Sequence, residues 1–478
     1  MATALRIDPI TRIEGHLSIE VAIETVNGVQ QVVDAWATGT LFRGFEKLLV
    51  GRDPRDAQHI TQRICGVCPT PHGVAATQAL ENAYKMTVPS NARVLRNLVL
   101  ACNFIQSHIL SFYHLSLLDF VDGANMAPWG PGWSSDKRLD SVKEQQLFSN
   151  YVKALDITGK SQEMGAVFGG RLPHSPAYVA GGFTETPTSA DVAKFNTYLT
   201  EVKAFINNVY IPDVNYIASA YSDYYSIGRG FGNLLAFGAF PLDQNGRTTL
   251  LKRGRVLSGA TSVQTILTDA ITEHVANSWY ADNTNNLNPA QGQTAPAYPK
   301  GNAYSWLKAP RYLNESYECG PLSRMWINGD YRKGVSVMDR HVARALEAKK
   351  IADALNGWVG GLSIGQSVYT NPTAASSASG IGLTEAPRGA LGHWLTIASG
   401  KIQNYQVITP TCWNASPRDN KDIEGPIEMA LVGTPVKNIA EPIEVLRVIH
   451  SFDPCMSCAV HVVQAERIER SFTVKSDY

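Results

Sequence analysis

The reading of this chain turns on Ser451-Phe452-Asp453-Pro454-Cys455-Met456-Ser457-Cys458-Ala459-Val460-His461. The stretch lies close to the C-terminus and holds a Cys-x-x-Cys pair. The other such pair, Cys65-Gly66-Val67-Cys68, stands near the N-terminus. Two residues between thiols let both sulfurs reach one metal centre, and two pairs supply four thiolates. Almost the whole polypeptide separates the pairs, so a shared centre requires a fold that brings the chain ends together. Zinc ribbons place their pairs a few tens of residues apart, which makes this spacing uncommon for a staple. On the cysteines alone, a structural zinc or cluster carries as much weight as a working metal site.

Working outward, the composition narrows the classes. The 478 residues are enough for a large core, and length alone allows roughly two to four domains. Net charge is zero, with no basic stripe or acidic tail, which argues against nucleic acid as a partner. Seven cysteines, an odd number and few for this length, suit metal or redox use better than a disulfide scaffold. The first residues lack the apolar run of a secretory signal, so export would depend on a partner. The segment from Val94 to Val121 is apolar but is broken by Arg96, Asn97, Asn103, Gln106, Ser107, His108 and His114. It predicts a buried core helix and no membrane span.

Alternation of Leu17, Ile19, Val21 and Ile23, then Val32, Val33 and Ala35, around Asn27-Gly28 predicts an antiparallel hairpin. Asp53 heads a helical stretch through Ile60 and Ile64 that ends at the first Cys pair. A helix over 74–84 follows, then the long helix over 92–121 and a loop over 122–140. Thr188 and Asp191 form a capping box for a helix through Phe195, Leu199, Val202 and Ile206, which Pro212 should kink or interrupt. Residues 224–270 look strand-like and turn-rich, 281–300 a surface excursion, 338–355 helical, 371–380 a loop and 402–408 extended. Glu441-Pro442 starts a short helix that delivers the second pair. With no internal repeat and no clean linker, the prediction is α+β and predominantly α. A central bundle of long buried helices would carry a small N-terminal antiparallel sheet, with both Cys-x-x-Cys motifs meeting at the metal.

Residues around the pairs add a resemblance. Arg63-Ile64-Cys65-Gly66-Val67-Cys68-Pro69-Thr70-Pro71-His72 and Asp453–His461 closely resemble the two signatures of the large subunit of nickel-iron hydrogenases. Pro9-Ile10-Thr11-Arg12-Ile13-Glu14-Gly15-His16, Arg43-Gly44-Phe45-Glu46, Gly51-Arg52-Asp53-Pro54, Tyr304–Tyr312, Glu385-Ala386-Pro387-Arg388-Gly389 and Pro410-Thr411-Cys412-Trp413-Asn414 also look like that family's blocks, in its order. The resemblance implies reversible heterolytic cleavage of H2 to protons and electrons. Nickel would be held by Cys65, Cys68, Cys455 and Cys458, with Cys68 and Cys458 shared with an iron carrying CO and CN ligands. The catalytic set would be Cys455, Glu14 as first proton acceptor and Arg388 over the iron. Pro387 would stiffen that approach, Thr411 would donate to a cyanide, Asp453 would pair with Arg388, and His72 would hydrogen-bond a cysteine sulfur. Glu46, His461 and the carbonyl of Val407 would hold a structural Mg2+ or similar ion. Taken singly, Glu14 is more often a cap or surface glutamate, Arg388 a salt-bridging arginine and His72 a satisfied core histidine. Their motif contexts carry the assignment.

Two departures stand out. Gln106-Ser107-His108 takes the place of His-Asp-His in many relatives, removing a carboxylate near the active site and pointing to the selenium-containing subgroup. Position 455, where those relatives carry selenocysteine, is Cys here. The resemblance also implies one interlocked domain over 1–461, with cleavage between His461 and Val462 by a maturation endopeptidase that removes 462–478. The bland alternative is a permanent C-terminal helix. Cys102, Cys319 and Cys412 are scattered, so the electron path would lie in iron-sulfur clusters of a small subunit, giving at least a heterodimer. That subunit's export signal would take the complex from the cytoplasm to the periplasm or membrane, with a cytoplasmic enzyme as the alternative. Competing readings are the quinone-binding relative in respiratory complex I, which has generally lost the cysteine pairs, a zinc-stapled scaffold, and a hydrogen sensor, which tends to lack the tail.

Overall fold

The computed structural model describes residues 3–13, 15–121, 133, 135–244 and 246–455, and the backbone of 459–460 and 471–472. Glu14, Cys458, His461 and Val462 lie outside the described residues. The N-terminal sheet is built from β1 (Thr3–Ile7), β2 (Leu17–Val26) and β3 (Val29–Gly39), antiparallel in sequence order, with 471–472 alongside β1. The predicted turn is present: Asn27 and Gly28 both have positive φ, as a two-residue hairpin of this twist requires. The register shifts between Ala22 and Ile23, so Val33 drops out of the inward row while Val32 and Ala35 stay buried.

Twelve α-helices are present among the described residues: α1 (Phe45–Leu49), α2 (Ala57–Thr61), α3 (Pro69–Ala83), α4 (Ser90–Leu110), α5 (Ser141–Gly169), α6 (Ser189–Phe205), α7 (Ile211–Ala220), α8 (Pro321–Asn328), α9 (Val337–Gly360), α10 (Pro410–Asn414), α11 (Pro426–Leu431) and α12 (Ile443–Ser451). Helix α4 packs against α5 and α9, and α6 bridges α5 and α9. One apolar core runs from the sheet (Leu5, Val21) through α4 (Val99, Phe104) to α9 (Ile351) and α12 (Ile449). The segment Ser90–Asp119 is long and apolar enough to cross a membrane, yet 89% of its apolar window is buried inside the protein. Its last turns widen into a π-turn (Ser111–Ser116) and end in a 3-10 turn at Asp119.

Several elements differ from expectation. Helix α3 begins at Pro69, earlier than predicted, because Pro69 and Pro71 occupy its first turn, where a missing N–H costs nothing. Helix α5 was not anticipated from the sequence. Its buried stripe includes Ala154, Thr158, Ser161 and Gly165, too small and polar to mark an apolar face. Pro212 does not interrupt its helix: a π-turn over Ile206–Tyr210 absorbs the lost hydrogen bond and α7 continues. Beside the small N-terminal sheet there is a second antiparallel sheet, Ala378–Ala386, Gly389–Ala398 and Lys401–Ile408, of which only the last strand was predicted. The architecture is thus one of mixed helix and strand.

Helix α3 lies directly on the first strand of this second sheet, and two glycines set the distance. A Cβ on Gly380 would stand 2.0 Å from the Ala79 carbonyl oxygen, and one on Gly382 1.9 Å from that of Ala75. Since Cys68 is the N-cap of α3, the same contact fixes the first Cys pair relative to the sheet whose first hairpin carries Arg388.

Candidate metal centre

Cys65 closes a 3-10 turn (Gln62–Ile64), Cys68 is the N-cap of α3, and Cys455 follows α12 by four residues. Although 390 residues apart, Cys65 and Cys455 have their Sγ atoms 3.6 Å apart, and Cys68 Sγ lies 2.8 Å from Cys65 Sγ. All three are buried. The amide of Cys68 donates to Cys65 Sγ at 3.1 Å, and that of Cys455 to Thr411 Oγ1 at 3.3 Å. Among the described residues, no group of three or more His, Cys, Asp or Glu side chains is arranged to hold a metal by itself. The three thiols touch one another instead.

Arg388 occupies the tip of the hairpin between Ala378–Ala386 and Gly389–Ala398. Its Nε donates to the Asp453 carbonyl at 2.9 Å and its Nη2 to Asp453 Oδ1 at 3.0 Å. Nη1 is buried with no hydrogen-bond partner among the described residues. Asp453 itself has φ +56°, a conformation Asp tolerates better than most residues. Burial opposes the charge of Arg388, but Asp453 and the three thiols more than compensate and hold it protonated. The thiols face the opposite problem. Burial first, then Cys455, pushes up Cys65, and the neighbouring sulfurs push up Cys68. Three such sulfurs ionise together only around a cation, and soft sulfur donors select a soft metal. The orphaned Nη1 beside them suits an anionic or acceptor ligand on that metal. On both counts the residues fit a thiolate-held metal centre.

His72 is buried, and its Nδ1 lies 3.1 Å from His393 Nε2, which leans in turn on the Tyr405 hydroxyl at 2.7 Å. Burial lowers the His72 pKa to about 3, so the ring is neutral. The sequence showed no sign of His393. Ser107, at the departing position of α4, is buried with its hydroxyl unpartnered among the described residues.

The flanks of Glu14 can be followed. His450 Nε2 meets the Ile10 carbonyl at 2.9 Å, and Arg12 Nη2 meets Asp119 Oδ1 at 2.6 Å. Asp119 also meets His450 Nδ1 at 2.6 Å. Against burial, Arg12 and His450 hold the Asp119 carboxyl well below the usual range. The N-terminal motif is therefore fastened to α12, the helix that delivers Cys455. Ile13 and Val67 line one cavity of about 250 Å3 with Asn103 and Gln106.

A second polar pocket surrounds Glu46 on α1. Glu46 Oε1 accepts the Val407 amide at 2.9 Å, and Oε2 pairs with the Thr294 hydroxyl. Lys308 Nζ lies 2.9 Å from Glu273 Oε2 and 3.2 Å from Gln406 Oε1. Glu46, Glu273, Lys308 and Val407 border a cavity of about 80 Å3 that Phe42, Tyr280 and Trp306 also line. Residues 401–408 form the edge strand of the sheet, and in an extended strand one residue's N–H and C=O point the same way. The Val407 carbonyl thus faces the Glu46 side. Two carboxylates against one ammonium leave a net negative, oxygen-rich pocket that fits a hard divalent ion.

Known proteins match this arrangement over nearly its whole length. The family model described as Nickel-dependent hydrogenase covers residues 43–136, 123–334 and 327–461, and a HoxL-like model covers 4–33. The large subunit of the periplasmic NiFeSe hydrogenase of Desulfomicrobium baculatum is 40% identical, across 97% of this chain and 95% of its own. The large chain of hydrogenase-2 of Escherichia coli (strain K12) is 33% identical across 98% of each. The solved Ni-Fe-Se hydrogenase of D. vulgaris Hildenborough, in the reduced state, aligns with a TM-score of 0.92 and 43% identity over 96% of this chain and 100% of that one. With its two cysteine segments brought into contact and a family match spanning both, the chain belongs to the nickel-dependent hydrogenases, as a large, catalytic subunit.

Proposed function

We propose that the chain cleaves dihydrogen at a nickel-iron centre that Cys65, Cys68, Cys455 and Cys458 would hold, with Cys68 and Cys458 also serving the iron. The observation that carries this is the contact of Cys65 with both Cys68 and Cys455, with the Arg388 guanidinium close enough to feel all three thiols and its Nη1 unpartnered among the described residues. When bound, the centre would supply Lewis-acid chemistry toward dihydrogen, with CO and CN as further ligands of its iron. Cys455 Sγ takes the proton, and the Glu14 carboxyl accepts it next. The fastening of its neighbours supports this role: His450 of α12 meets the Ile10 carbonyl, and Arg12 pairs with Asp119, which also meets His450. Arg388 Nη1 would donate to one cyanide, while Asp453 holds the other edge of the guanidinium. Pro387 stiffens the hairpin tip. Thr411, whose oxygen accepts the Cys455 amide, keeps its hydroxyl hydrogen for the second cyanide. His72, braced by His393, hydrogen-bonds a cysteine sulfur through Nε2. Glu46, the Val407 carbonyl and His461 would hold Mg2+ or a similar ion.

The electrons leave through the iron-sulfur clusters of a small subunit that pairs with this chain. That partner's export signal takes the complex to the periplasm or membrane, a reading that the name of the D. baculatum relative supports. A maturation endopeptidase cuts after His461, and the family match stops at that residue. The test is metal analysis and infrared spectroscopy of protein purified with its partner. Equal nickel and iron with sharp carbonyl and cyanide bands are expected. Zinc without such bands in processed protein would reject the reading.

A further inference from the structure

We infer that Arg324 is a positioning residue for Arg388. Arg324 sits on α8 and is fully buried. Its Nε meets Glu347 Oε2 at 2.8 Å and its Nη2 meets Glu347 Oε1 at 2.6 Å. Nη1 meets Glu385 Oε2 at 2.7 Å. The two remaining N–H groups go to backbone: Nη1 to the Ala386 carbonyl at 3.0 Å and Nη2 to the Pro387 carbonyl at 2.7 Å. All five donors of the guanidinium are thus used.

The two backbone contacts matter because of where they fall. Ala386 and Gly389 form the last pair of the hairpin ladder, so Pro387 and Arg388 are its two-residue tip. A two-residue tip has little contact of its own to set its direction. Arg324 grips it from behind, through the carbonyls just before Arg388. The far side is closed as well: Gly389 has φ +141°, and a Cβ there would lie 2.4 Å from Cys319 Sγ. Arg324 is itself held by Glu347 on α9, whose Oε1 also meets His108 Nε2 of α4 at 2.8 Å. Two long core helices therefore fix the guanidinium that fixes the tip. On the other face of the tip, the Arg388 side chain is tied to Asp453, leaving Nη1 with one direction to point. Lysine at 324 could not reproduce the fork that spans two carboxylates and two carbonyls.

The inference rests on the reading that Nη1 faces a cyanide on iron, so the test separates the two. Arg324→Lys is compared with wild type as the holoenzyme with its small subunit. The expected result is a shift of the cyanide bands in the nickel- and iron-loaded fraction, with kcat about tenfold lower and KM for H2 unchanged. A merely structural arginine would lower the yield or Tm while the loaded fraction kept wild-type bands, and that outcome overturns the inference. If Arg324→Lys does not load, Glu347→Gln, which keeps the arginine but weakens its anchor, should shift the bands in the same direction. Wild-type bands there overturn it too. If neither variant takes up metal, a crystal structure of the variant decides: a hairpin tip in its wild-type position is fatal to the inference. Wild-type enzyme lacking nickel, iron and the bands would overturn both readings, whereas normal wild-type bands with unmoved variants remove only the role of Arg324.

Discussion

At the residue scale the site depends on a few buried groups whose charge is set by their neighbours. Arg388 is the clearest. It stays protonated although buried, because Asp453 and the thiols surround it. Its fork grips Asp453 through two nitrogens and presents a third. Arg388→Lys keeps the charge but loses the fork, so turnover should fall by about 10²-fold, the usual cost of removing one preorganised donor. A hydrogen-uptake assay on metal-loaded variant checks this, and wild-type rates would show that the charge alone suffices. Glu14 carries a separate prediction. Glu14→Gln should suppress isotope exchange with solvent while para/ortho hydrogen conversion continues, because the amide cannot pass the proton on. Wild-type solvent exchange would exclude Glu14 as first acceptor. Most of these residues were legible because each sits in a recognisable local block. Arg324, Glu347 and His393 were not, because their partners lie tens to hundreds of residues away and only the fold brings them together.

At the scale of elements, the contact of α3 with the strand Ala378–Ala386 is the tightest constraint on the site. Gly382→Ala would drive a methyl to 1.9 Å from the Ala75 carbonyl oxygen. Backbone cannot yield as a flexible side chain does, so the helix has to lift. The expected cost is about 2–3 kcal/mol, at the upper end for overpacking. Because Cys68 caps that helix, nickel occupancy should fall as well. Unchanged Tm and full nickel would mean that the helix does not rest on this strand. The sequence could not foretell this pairing. The strand reads as small and polar residues following a Ser/Ala/Gly stretch, and its glycines betray their purpose only once the helix is in place. The β2–β3 hairpin and the Thr188 capping box were legible for the opposite reason: their signals are complete within a few residues. A second element-level prediction concerns Glu428 on α11, which accepts the Ala37 amide of β3 at 2.9 Å, the Gly425 amide at 3.0 Å and the Tyr304 hydroxyl at 2.8 Å. Burial, opposed by these donors, raises its pKa from 4.5 to about 7. The folded state therefore holds this proton more tightly than the unfolded chain. The resulting stability is complete below about pH 4.5 and is lost as pH rises to about 7, by about 3 kcal/mol. Glu428→Gln should be less stable than wild type at pH 5, and the gap should narrow by pH 8. Parallel Tm-versus-pH curves would contradict the assignment.

At the scale of the whole molecule, the chain is a long loop closed at its two ends by sulfur. That much could be read from the spacing of the cysteine pairs, since two thiol pairs at opposite ends are useful to one centre only if the fold reunites them. The path between could not be read. Helix α5 and the Ala378–Ala386 and Gly389–Ala398 strands are specified by packing against partners distant in sequence, and α5 hides behind small residues. The closure itself is testable. Cys65 and Cys455 meet across 390 residues. A metal joining them acts as a cross-link, and its binding free energy appears as local stability of the segments it ties. The core around α4 and α9 is apolar and self-sufficient, with residues such as Val99, Phe104 and Ile351 fully buried. Loss of the metal should therefore loosen the ends and spare the middle. In hydrogen exchange, amides over 62–68 and 443–455 should open about 10²-fold faster in metal-free protein than in loaded enzyme, while those of α4 and α9 keep their protection. Uniform loosening would mean that the centre stabilises the whole fold, and no change at either end would mean that protein contacts alone hold the thiols together. The two alternatives separate because Arg388–Asp453 and Cys455–Thr411 tie the C-terminal segment without metal, so any loosening there on metal loss reports the contribution of the centre beyond those contacts.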